Sequence, residues 1–397
     1  MIADLRARND VIFSRLVDIR RTLHKNPELA FEEYETAALV KATLEPLDLH
    51  IEAGIAKTGV VATLVGDQPG PTRLLRADMD ALPILEANTF DFASQVPGKM
   101  HACGHDAHTA SLLGTAMILS EMRADLKGSV RFLFQPSEEK IPGGAKPMIE
   151  DGVLDDNAVS TAPSAVFGQH VAPEIPYGKI GVRDGMYMAS ADEIYIDIRG
   201  AGGHGAKPHL IGTDTVLAAS HVIVALQSVI SRNAPPNVPT VLTFGKMLAD
   251  GATNVLPEHV RIEGTFRSMD EEWRFKAHDL IQRVAQHTAQ AYGSAAEVEV
   301  AVGYPALCND HQATAHVRQA AKAYVGEENV IELDLTFVSE DFAWYLKHTP
   351  GSFYRIGSGN VAEGITHGLH TPRFTIDENA LRTAPGFMAY MALTYTG

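Results

Sequence analysis

The chain has 397 residues, of which 45% are hydrophobic and 21% are charged, as in an ordinary globular protein with a sizeable core. Its formal net charge of −16 argues against nucleic acid and anionic membranes as partners, because both attract basic surfaces. Two cysteines cannot form a disulfide framework, and neither a signal peptide nor an apolar run of about 18 residues is found, so we expect a cytoplasmic protein of two or three domains.

The first part of the chain predicts helices that alternate with buried strands. An amphipathic helix is predicted over 3–23, ended by Asn26-Pro27, and a second helix over 32–44. Polar residues follow several strand ends, which is where open α/β sheets place their ligands. Strands are predicted at 59–66, 72–77, 128–136, 164–168 and, near the C-terminus, 353–357, and further helices at 109–122 and 148–151.

The pattern changes near Gly181. Apolar and polar residues alternate over 192–199, as in a half-exposed strand, and a glycine-rich loop follows at 200–205. The order of elements is that of a βαββαβ unit. After the loop come a predicted helix at 213–231, strands at 240–246 and 260–267, a helix at 271–292 and a strand at 297–302. We therefore predict an α/β domain formed by residues 1–183 and 299–397, with an inserted α+β domain of residues 184–298.

The segment from Met100 to His108 gathers three histidines, a thiol and a carboxylate into nine residues. In a bend, Cys103-Gly104-His105 can direct both donors at one point, and a transition metal would keep the thiol deprotonated. The alternative is a buried thiol among solvated histidines. The segment alone leaves both interpretations open.

Acidic residues and histidines at other predicted strand ends favour the metal. Glu138-Glu139 follows the strand at 128–136, so one carboxylate could bind a metal while its neighbour acts as a general base. His170 follows another strand, and His370 lies in the C-terminal segment. Each has a plainer alternative: an exposed acidic pair, or a surface or core histidine.

The chain resembles the metal-dependent amidohydrolases and aminoacylases of the hippurate hydrolase, auxin-conjugate hydrolase and N-acetyldiaminopimelate deacetylase group. Several motifs carry the resemblance in order from near residue 20 to the end, and their combination is highly specific. They are Leu23-His24-Lys25-Asn26-Pro27-Glu28-Leu29, Arg76-Ala77-Asp78-Met79-Asp80-Ala81-Leu82-Pro83, Met100 to His108, Gln135-Pro136-Ser137-Glu138-Glu139, Gly143-Gly144-Ala145, Gly202-Gly203-His204-Gly205-Ala206, Thr253-Asn254-Val255-Leu256-Pro257, Gly264-Thr265-Phe266-Arg267 and Ser339-Glu340-Asp341-Phe342.

The resemblance implies a mixed-sheet metallopeptidase catalytic domain with an inserted ferredoxin-like lid that also pairs two subunits. It implies two divalent metal ions per subunit, zinc or manganese first, although cobalt or nickel can occupy such mixed sites. The implied ligands are Cys103, which would bridge the two ions, with His105, Glu139, His170 and His370.

The resemblance also implies how an amide bond would be cleaved. Glu138 would take the proton of a metal-activated water and deliver it to the leaving amine, while His204 stabilises the oxyanion. Asn254 and Arg267 match lid residues that contact the substrate.

Four further residues near the motifs are weaker candidates: Asp78, Asp80, Asp106 and His108. Metal-bound histidines need a second hydrogen-bond partner, which a neighbouring carboxylate could supply. The same residues could equally shape the turn.

We expect hydrolysis of N-acyl amino acids to a carboxylic acid and an amino acid, in a homodimer formed through the lid. The helix at 213–231 is more apolar than one buried stripe requires, which is typical of an interface. A dipeptidase or aminopeptidase would use the same metals, so the motifs leave it open. A non-catalytic metal- or ligand-binding protein is the alternative of another class, and Glu138 argues against it because a binder needs no base.

Overall fold

The computed structural model describes residues 1–397 and divides them into two units. The first unit contains residues 1–185, 308–334 and 341–397, and the second contains 186–307 and 335–340. The sequence placed the end of the inserted domain at 298, which falls inside the strand Ala295–Val302. All eight residues of that strand pair with a neighbour of the second unit, so the unit continues beyond it.

Ten α-helices are numbered α1 to α10 in chain order. The predicted helix at 32–44 begins two residues later, at Tyr34, and the helix predicted at 109–122 begins four residues earlier, at His105. The fifth, eighth, ninth and tenth helices were not predicted. The ten are Ile2–Lys25, Tyr34–Leu44, His105–Glu121, Ala145–Glu150, Pro208–Ile211, Thr215–Asn233, Glu271–Ala291, His311–Val325, Ala343–Leu346 and Ala384–Thr394.

Sixteen strands are numbered β1 to β16 in the same way. Every strand predicted from the sequence is present, and several short ones, such as the first and sixth, were not predicted. They are His50–Ile55, Gly59–Val65, Gln68–Asp78, Lys127–Gln135, Pro163–Pro176, Ile180–Val182, Gly185–Met188, Asp192–Arg199, Gly203–His204, Thr240–Ala249, Val255–Leu256, His259–Ser268, Ala295–Val302, Leu307–Asn309, Val330–Glu332 and Gly351–Gly359.

The first unit is built on an eight-stranded sheet in the order β1-β2-β4-β3-β5-β16-β6-β15. Its central strands β4, β3, β5 and β16 run parallel to one another, whereas β1 and β2 pair antiparallel with their neighbours. β6 pairs antiparallel with β16 and parallel with β15. The mixed-sheet α/β prediction is therefore confirmed.

The core of the first unit lies between this sheet and the helices α1, α3 and α10. Leu16 of α1, Phe132 of β4 and Phe387 of α10 are fully buried in one cluster. Full burial of such a side chain stabilises the folded state by about 1.5–3 kcal/mol relative to leaving the side chain exposed. Gly114 lets α1 and α3 approach closely, because a Cβ there would lie 2.8 Å from Leu16 Cδ1.

The carboxyl ends of the central parallel strands carry the polar motifs. Asp78 pairs with Gln135 where β3 and β4 both end, and Glu138-Glu139 follows three residues later. The strand predicted to end before His170 instead runs from Pro163 to Pro176, because β16 pairs with it beyond the point where β3 stops pairing. His170 therefore lies inside β5, at the edge left open by β3.

The second unit has a four-stranded antiparallel sheet in the order β10-β12-β8-β13, covered by α6 and α7. Along the chain these strands follow one another as β8, β10, β12 and β13, with α6 between β8 and β10 and α7 between β12 and β13. This order of elements, together with the order of strands in the sheet, is the ferredoxin-like topology that was predicted. Its core consists of the alternate residues of β8 with one face of each helix; Ile194, Ile196, Val222 and Ile281 are fully buried.

The helix α6 is long and apolar enough to cross a bilayer by length and composition alone, but only 33% of its most apolar window is buried. Val222 and Leu226 pack against the sheet, while Leu217 and Val224 are exposed. The helix thus covers the sheet with one face and leaves a second apolar face uncovered.

Candidate metal centre

The five predicted ligands converge at the carboxyl end of the central sheet in the first unit. The Sγ of Cys103 lies 3.3 Å from Nε2 of His170 and 3.3 Å from Nε2 of His370. Glu139 Oε1 lies 3.1 Å from His370 Nε2 and 3.9 Å from His105 Nε2. Cys103 belongs to both groups of donors, one with His105 and His170 and the other with Glu139 and His370.

The donors fit divalent transition metals. His105 Nε2 is buried, yet it takes part in no hydrogen bond within the protein. Leaving such a polar atom buried and unpartnered costs about 1–3 kcal/mol, so an ion is a physical reason for the arrangement. A thiolate with imidazoles and a carboxylate is a set that zinc, manganese, cobalt or nickel can accept.

A glycine sets the turn that directs the first two donors. Gly104 has φ +86° and precedes α3, so Cys103 lies before the helix and His105 on its first turn. A Cβ at Gly104 would lie 2.4 Å from Val171 Cγ2. The turn therefore requires glycine both for its backbone conformation and for its packing.

Hydrogen bonds to Nδ1 fix which nitrogen each ligand histidine presents. His105 Nδ1 lies 2.8 Å from the carbonyl oxygen of Asp80, and His170 Nδ1 lies 2.7 Å from that of Val171. Each Nδ1 therefore donates its proton to a carbonyl oxygen, and Nε2 is the nitrogen that remains available to a metal.

His108 cannot be a ligand, because both its nitrogens are engaged. Nδ1 lies 2.6 Å from Asp78 Oδ1, and Nε2 accepts a hydrogen bond from the amide of Val171 at 2.9 Å. Asp78 also forms a buried ion pair with Arg76. These residues brace β3, β5 and α3 behind the ligands.

Asp106, by contrast, contacts no metal-ligating histidine. Its carboxylate pairs with Arg20 Nε at 2.7 Å and with His24 Nδ1 at 2.8 Å, both on α1. The expectation that it orients a ligand is therefore corrected. Asp106 is fully buried and ties the first turn of α3 to α1.

Asp80, one of the weaker candidates from the sequence, holds the centre most directly. Its Oδ1 accepts from the amide of Glu138 at 2.9 Å, and its Oδ2 accepts from that of Glu139 at 3.0 Å. The signal was its position two residues after Asp78 at the end of β3. Without knowing which amides would face it, the sequence could not rank it above Asp78.

Glu138 lies beside the ligands with 7% of its surface exposed. A carboxylate oxygen of Glu138 and the ligand atoms of His105 and Glu139 all lie within 4.8 Å of one another. This is the position that a proton acceptor beside a metal-activated water would occupy.

The charges around the centre favour cations. Burial, reinforced by Glu139 and Glu138, raises the pKa of the Cys103 thiol well above its usual range. Burial opposes protonation of His105, but Asp78 and Asp80 outweigh it and raise its pKa to about 10. A bound cation would offset this concentration of carboxylates and release the proton from the thiol.

The predicted substrate residues lie in the second unit. His204 of β9 pairs with Val255 of β11, and the amide of Gly205 donates to the carbonyl oxygen of Asn254 at 2.7 Å. His204 and Asn254 are thus neighbours and both are exposed. Arg267 lies on β12, where its Nη1 is buried without a hydrogen-bond partner.

Comparisons with known proteins agree with this geometry. A model of peptidase family M20/M25/M40 matches residues 74–394. The chain is 43% identical over 374 residues to the N-acetyl-L-cysteine deacetylase of Bacillus subtilis (strain 168), covering 94% of this chain and 86% of that protein. It is 44% identical over 301 residues to the N-acyl-L-amino acid amidohydrolase of Geobacillus stearothermophilus, covering 76% and 79%.

A solved structure extends the similarity to three dimensions. A Bacillus subtilis protein described as a dinuclear metal binding peptidase of the M20 family aligns with a TM-score of 0.83 and 38% sequence identity. The alignment covers 97% of this chain and 98% of that one.

Proposed function

The chain belongs to peptidase family M20/M25/M40, and we propose that it hydrolyses the amide bond of N-acyl amino acids, releasing a carboxylic acid and an amino acid. The observation that carries the proposal is the placement of Glu138 within 4.8 Å of the donor atoms of His105 and Glu139. The relatives named as deacetylase and amidohydrolase support the acyl amino acid as the substrate class.

The first metal would be held by His105 and His170 and the second by Glu139 and His370, with Cys103 contributing to both. When bound, the ions supply polarisation of the scissile carbonyl and a lower pKa for the attacking water. The thiolate and the imidazoles favour zinc, and the carboxylate also suits manganese. We expect a chelator to abolish turnover and added zinc or manganese to restore it.

Glu138 moves the proton. Its carboxylate accepts a proton from the attacking water as the new C–O bond forms, and then delivers that proton to the amine nitrogen as the C–N bond breaks. Asp80 holds the Glu138 amide, so the carboxylate projects from a fixed backbone. The roles predicted for His204, Asn254 and Arg267 rest on the family resemblance and stay predictions.

The test of this function is Glu138→Gln. Glutamine keeps the shape but cannot accept a proton, so we expect the purified variant to retain its metal and to lose turnover by about 100-fold or more. Metal content and kcat are measured on the same sample. Glu150→Gln, at an exposed carboxylate of α4, serves as the matched control and keeps full activity. Normal turnover of metal-replete Glu138→Gln would contradict the assignment.

A substrate panel separates the proposed amidohydrolase from a dipeptidase or aminopeptidase on the same centre. N-acetyl amino acids, N-benzoylglycine and free-amine dipeptides are compared at equal metal content. Preference for the acylated compounds supports our proposal, and preference for dipeptides supports the alternative. If none of the compounds is turned over while metal remains bound, the binding-protein alternative is favoured.

We also propose a homodimer formed through the second unit. Leu217 and Val224 of α6 are 46% and 69% exposed, and β10 lies at an open edge of its sheet. A groove of about 550 Å³ runs between α6 and the segment 249–257. A second copy would cover this apolar face and pair the free strand edge. The cytoplasmic location expected from the sequence stays a prediction, to be tested by cell fractionation.

A further inference from the structure

Glu33 is a fully buried carboxylate outside the metal cluster. Its Oε1 accepts hydrogen bonds from the amides of Phe31 at 3.0 Å and Ser137 at 2.9 Å. Its Oε2 accepts from the hydroxyl of Thr58 at 2.6 Å. Three donors from three separate segments of the first unit thus meet on one side chain.

The side chain of Glu33 does not serve the helix that it precedes. Glu33 is the N-cap residue of α2 but forms no side-chain cap. The free amides of the first turn are satisfied instead by Glu28, which accepts from Glu35 N at 3.1 Å and Thr36 N at 2.8 Å. The carboxylate of Glu33 is therefore directed away from its own helix, toward Ser137.

Ser137 is the residue directly before Glu138, and its backbone is in the left-handed region with φ +52°. For a residue other than glycine this conformation costs about 1 kcal/mol or more and persists only when its surroundings impose it. The hydroxyl of Ser137 is buried without a partner, so the side chain does not impose it. The amide of Ser137, in contrast, donates a hydrogen bond to the buried Glu33 carboxylate.

Three consecutive amides are held by two buried carboxylates. Ser137 N donates to Glu33, while Glu138 N and Glu139 N donate to the two oxygens of Asp80. Asp80 is attached to the end of β3 and fixes the amides on one side of the turn. Glu33 is attached to the N-terminal segment and fixes the residue that sets the direction in which Glu138 leaves β4.

We propose that Glu33 is a positioning residue for Glu138, acting through the backbone of Ser137. The proposal rests on the proposed function only in taking Glu138 as the group that transfers the proton. Without Glu33, Ser137 can relax toward the ordinary regions of backbone space, and the Glu138 carboxylate moves with it. Proton transfer is sensitive to such displacements, since a shift of about 1 Å can cost on the order of 100-fold in rate.

The test compares Glu33→Ala with wild-type enzyme loaded with the same metal. We expect kcat to fall about 10- to 100-fold, with KM and metal content unchanged, because the hydrogen bonds of Glu33 go to Phe31, Thr58 and Ser137 and to none of the five metal donors. Hydrogen exchange provides a readout that does not depend on activity: the amides of residues 137–139 should exchange faster than in the wild type. Glu33→Gln, whose oxygen still accepts from both amides, should keep most of the activity.

Glu32→Ala is the matched control, because Glu32 is the adjacent residue and its side chain is 58% exposed. If Glu33→Ala does not fold, kcat is measured for Glu33→Asp instead. Aspartate keeps the charge but is shorter by one methylene, so its carboxylate is withdrawn from the Ser137 amide and kcat should again fall. A wild-type kcat in the variant that folds would overturn the proposal, as would a loss of activity in Glu33→Gln equal to that in Glu33→Ala.

The two proposals fail in distinguishable ways. If Glu138→Gln keeps its turnover, the role of Glu138 is wrong whatever the Glu33 variants do. If Glu138→Gln is inactive while Glu33→Ala and Glu33→Asp match the wild type in kcat and in amide exchange, only the positioning role of Glu33 is wrong.

Discussion

Each histidine of the centre has a function set by what its second nitrogen contacts. His105 and His170 place Nδ1 against backbone carbonyl oxygens and present Nε2 to the metal side. His108 engages both nitrogens and is a support. All three are buried histidines, His105 and His108 on the first turn of α3 and His170 inside β5, so burial alone does not distinguish their functions. The difference lies in hydrogen-bond partners up to 63 positions away in the chain.

The left-handed backbone of Ser137 gives a prediction at the residue scale. Glycine adopts φ +52° without steric cost, so Ser137→Gly should leave the free energy of unfolding within about 1 kcal/mol of the wild type. Ser137→Val adds a β-branched side chain and should lose about 1–3 kcal/mol. Chemical denaturation measures both values. Ser137→Ala controls for loss of the hydroxyl, and a valine variant as stable as the alanine variant would contradict the prediction.

Helix and strand boundaries decide how the motifs come together. Because α3 begins at His105, His105 and His108 lie three residues apart on its first turn. Because β5 continues through His170, that ligand is held by a strand rather than a loop. Local sequence predicted the presence of both elements but not their ends, since Gly104 and the pairing with β16 set those ends.

A buried ionic cluster at one end of the second sheet gives a prediction at the element scale. Asp192 of β8 is 1% exposed and accepts from Arg274 Nε of α7 at 2.8 Å, His278 Nε2 at 2.8 Å and Gly303 N at 3.2 Å. Burial alone would raise the pKa of Asp192, but Arg274 and His278 outweigh it and lower the pKa below its usual value.

A carboxyl group whose pKa is lowered by folding stabilises the folded protein at pH values above the pKa of the same group in the unfolded chain. This stabilisation is lost as the pH falls below about 4. Asp192→Asn should therefore destabilise the second unit by about 3–5 kcal/mol at neutral pH, because Arg274 is left buried without its partner. The variant should also lose less further stability in acid than the wild type does. Thermal unfolding between about pH 3 and 7 measures both effects. Glu193→Gln, at the exposed neighbour on β8, is the control, and parallel pH curves for Asp192→Asn and wild type would refute the argument.

At the scale of the whole molecule, the chain forms an α/β unit interrupted by a ferredoxin-like unit. The inserted unit has its own core between α6, α7 and the sheet β10-β12-β8-β13. It keeps an open strand edge and one uncovered apolar helix face. A domain that buries a complete core of its own and still exposes these features is typical of a partner in self-association.

The dimer prediction belongs to this scale. Wild-type protein should sediment at about twice its monomer mass, and Val224→Asp should shift it to the monomer, because an uncompensated charge would enter the interface. Phe275→Asp is the matched control and should remain a dimer, because Phe275 is 49% exposed in the same unit but lies on α7 rather than on α6. Sedimentation of the wild type at the 42.9 kDa monomer mass would exclude the dimer.

The sequence by itself determined the fold class, the family and the five donors around the candidate centre. Apolar periodicity and turn residues are local, and the order of motifs along the chain is specific. Only the tertiary structure showed that Asp106 pairs with Arg20 of α1 and that Asp80 accepts hydrogen bonds from two consecutive amides. It also showed that Glu33 contacts Ser137, which lies 104 positions away in the chain. Such partners depend on which distant segments the parallel sheet brings together. The spacing of residues along the chain does not show which segments become neighbours.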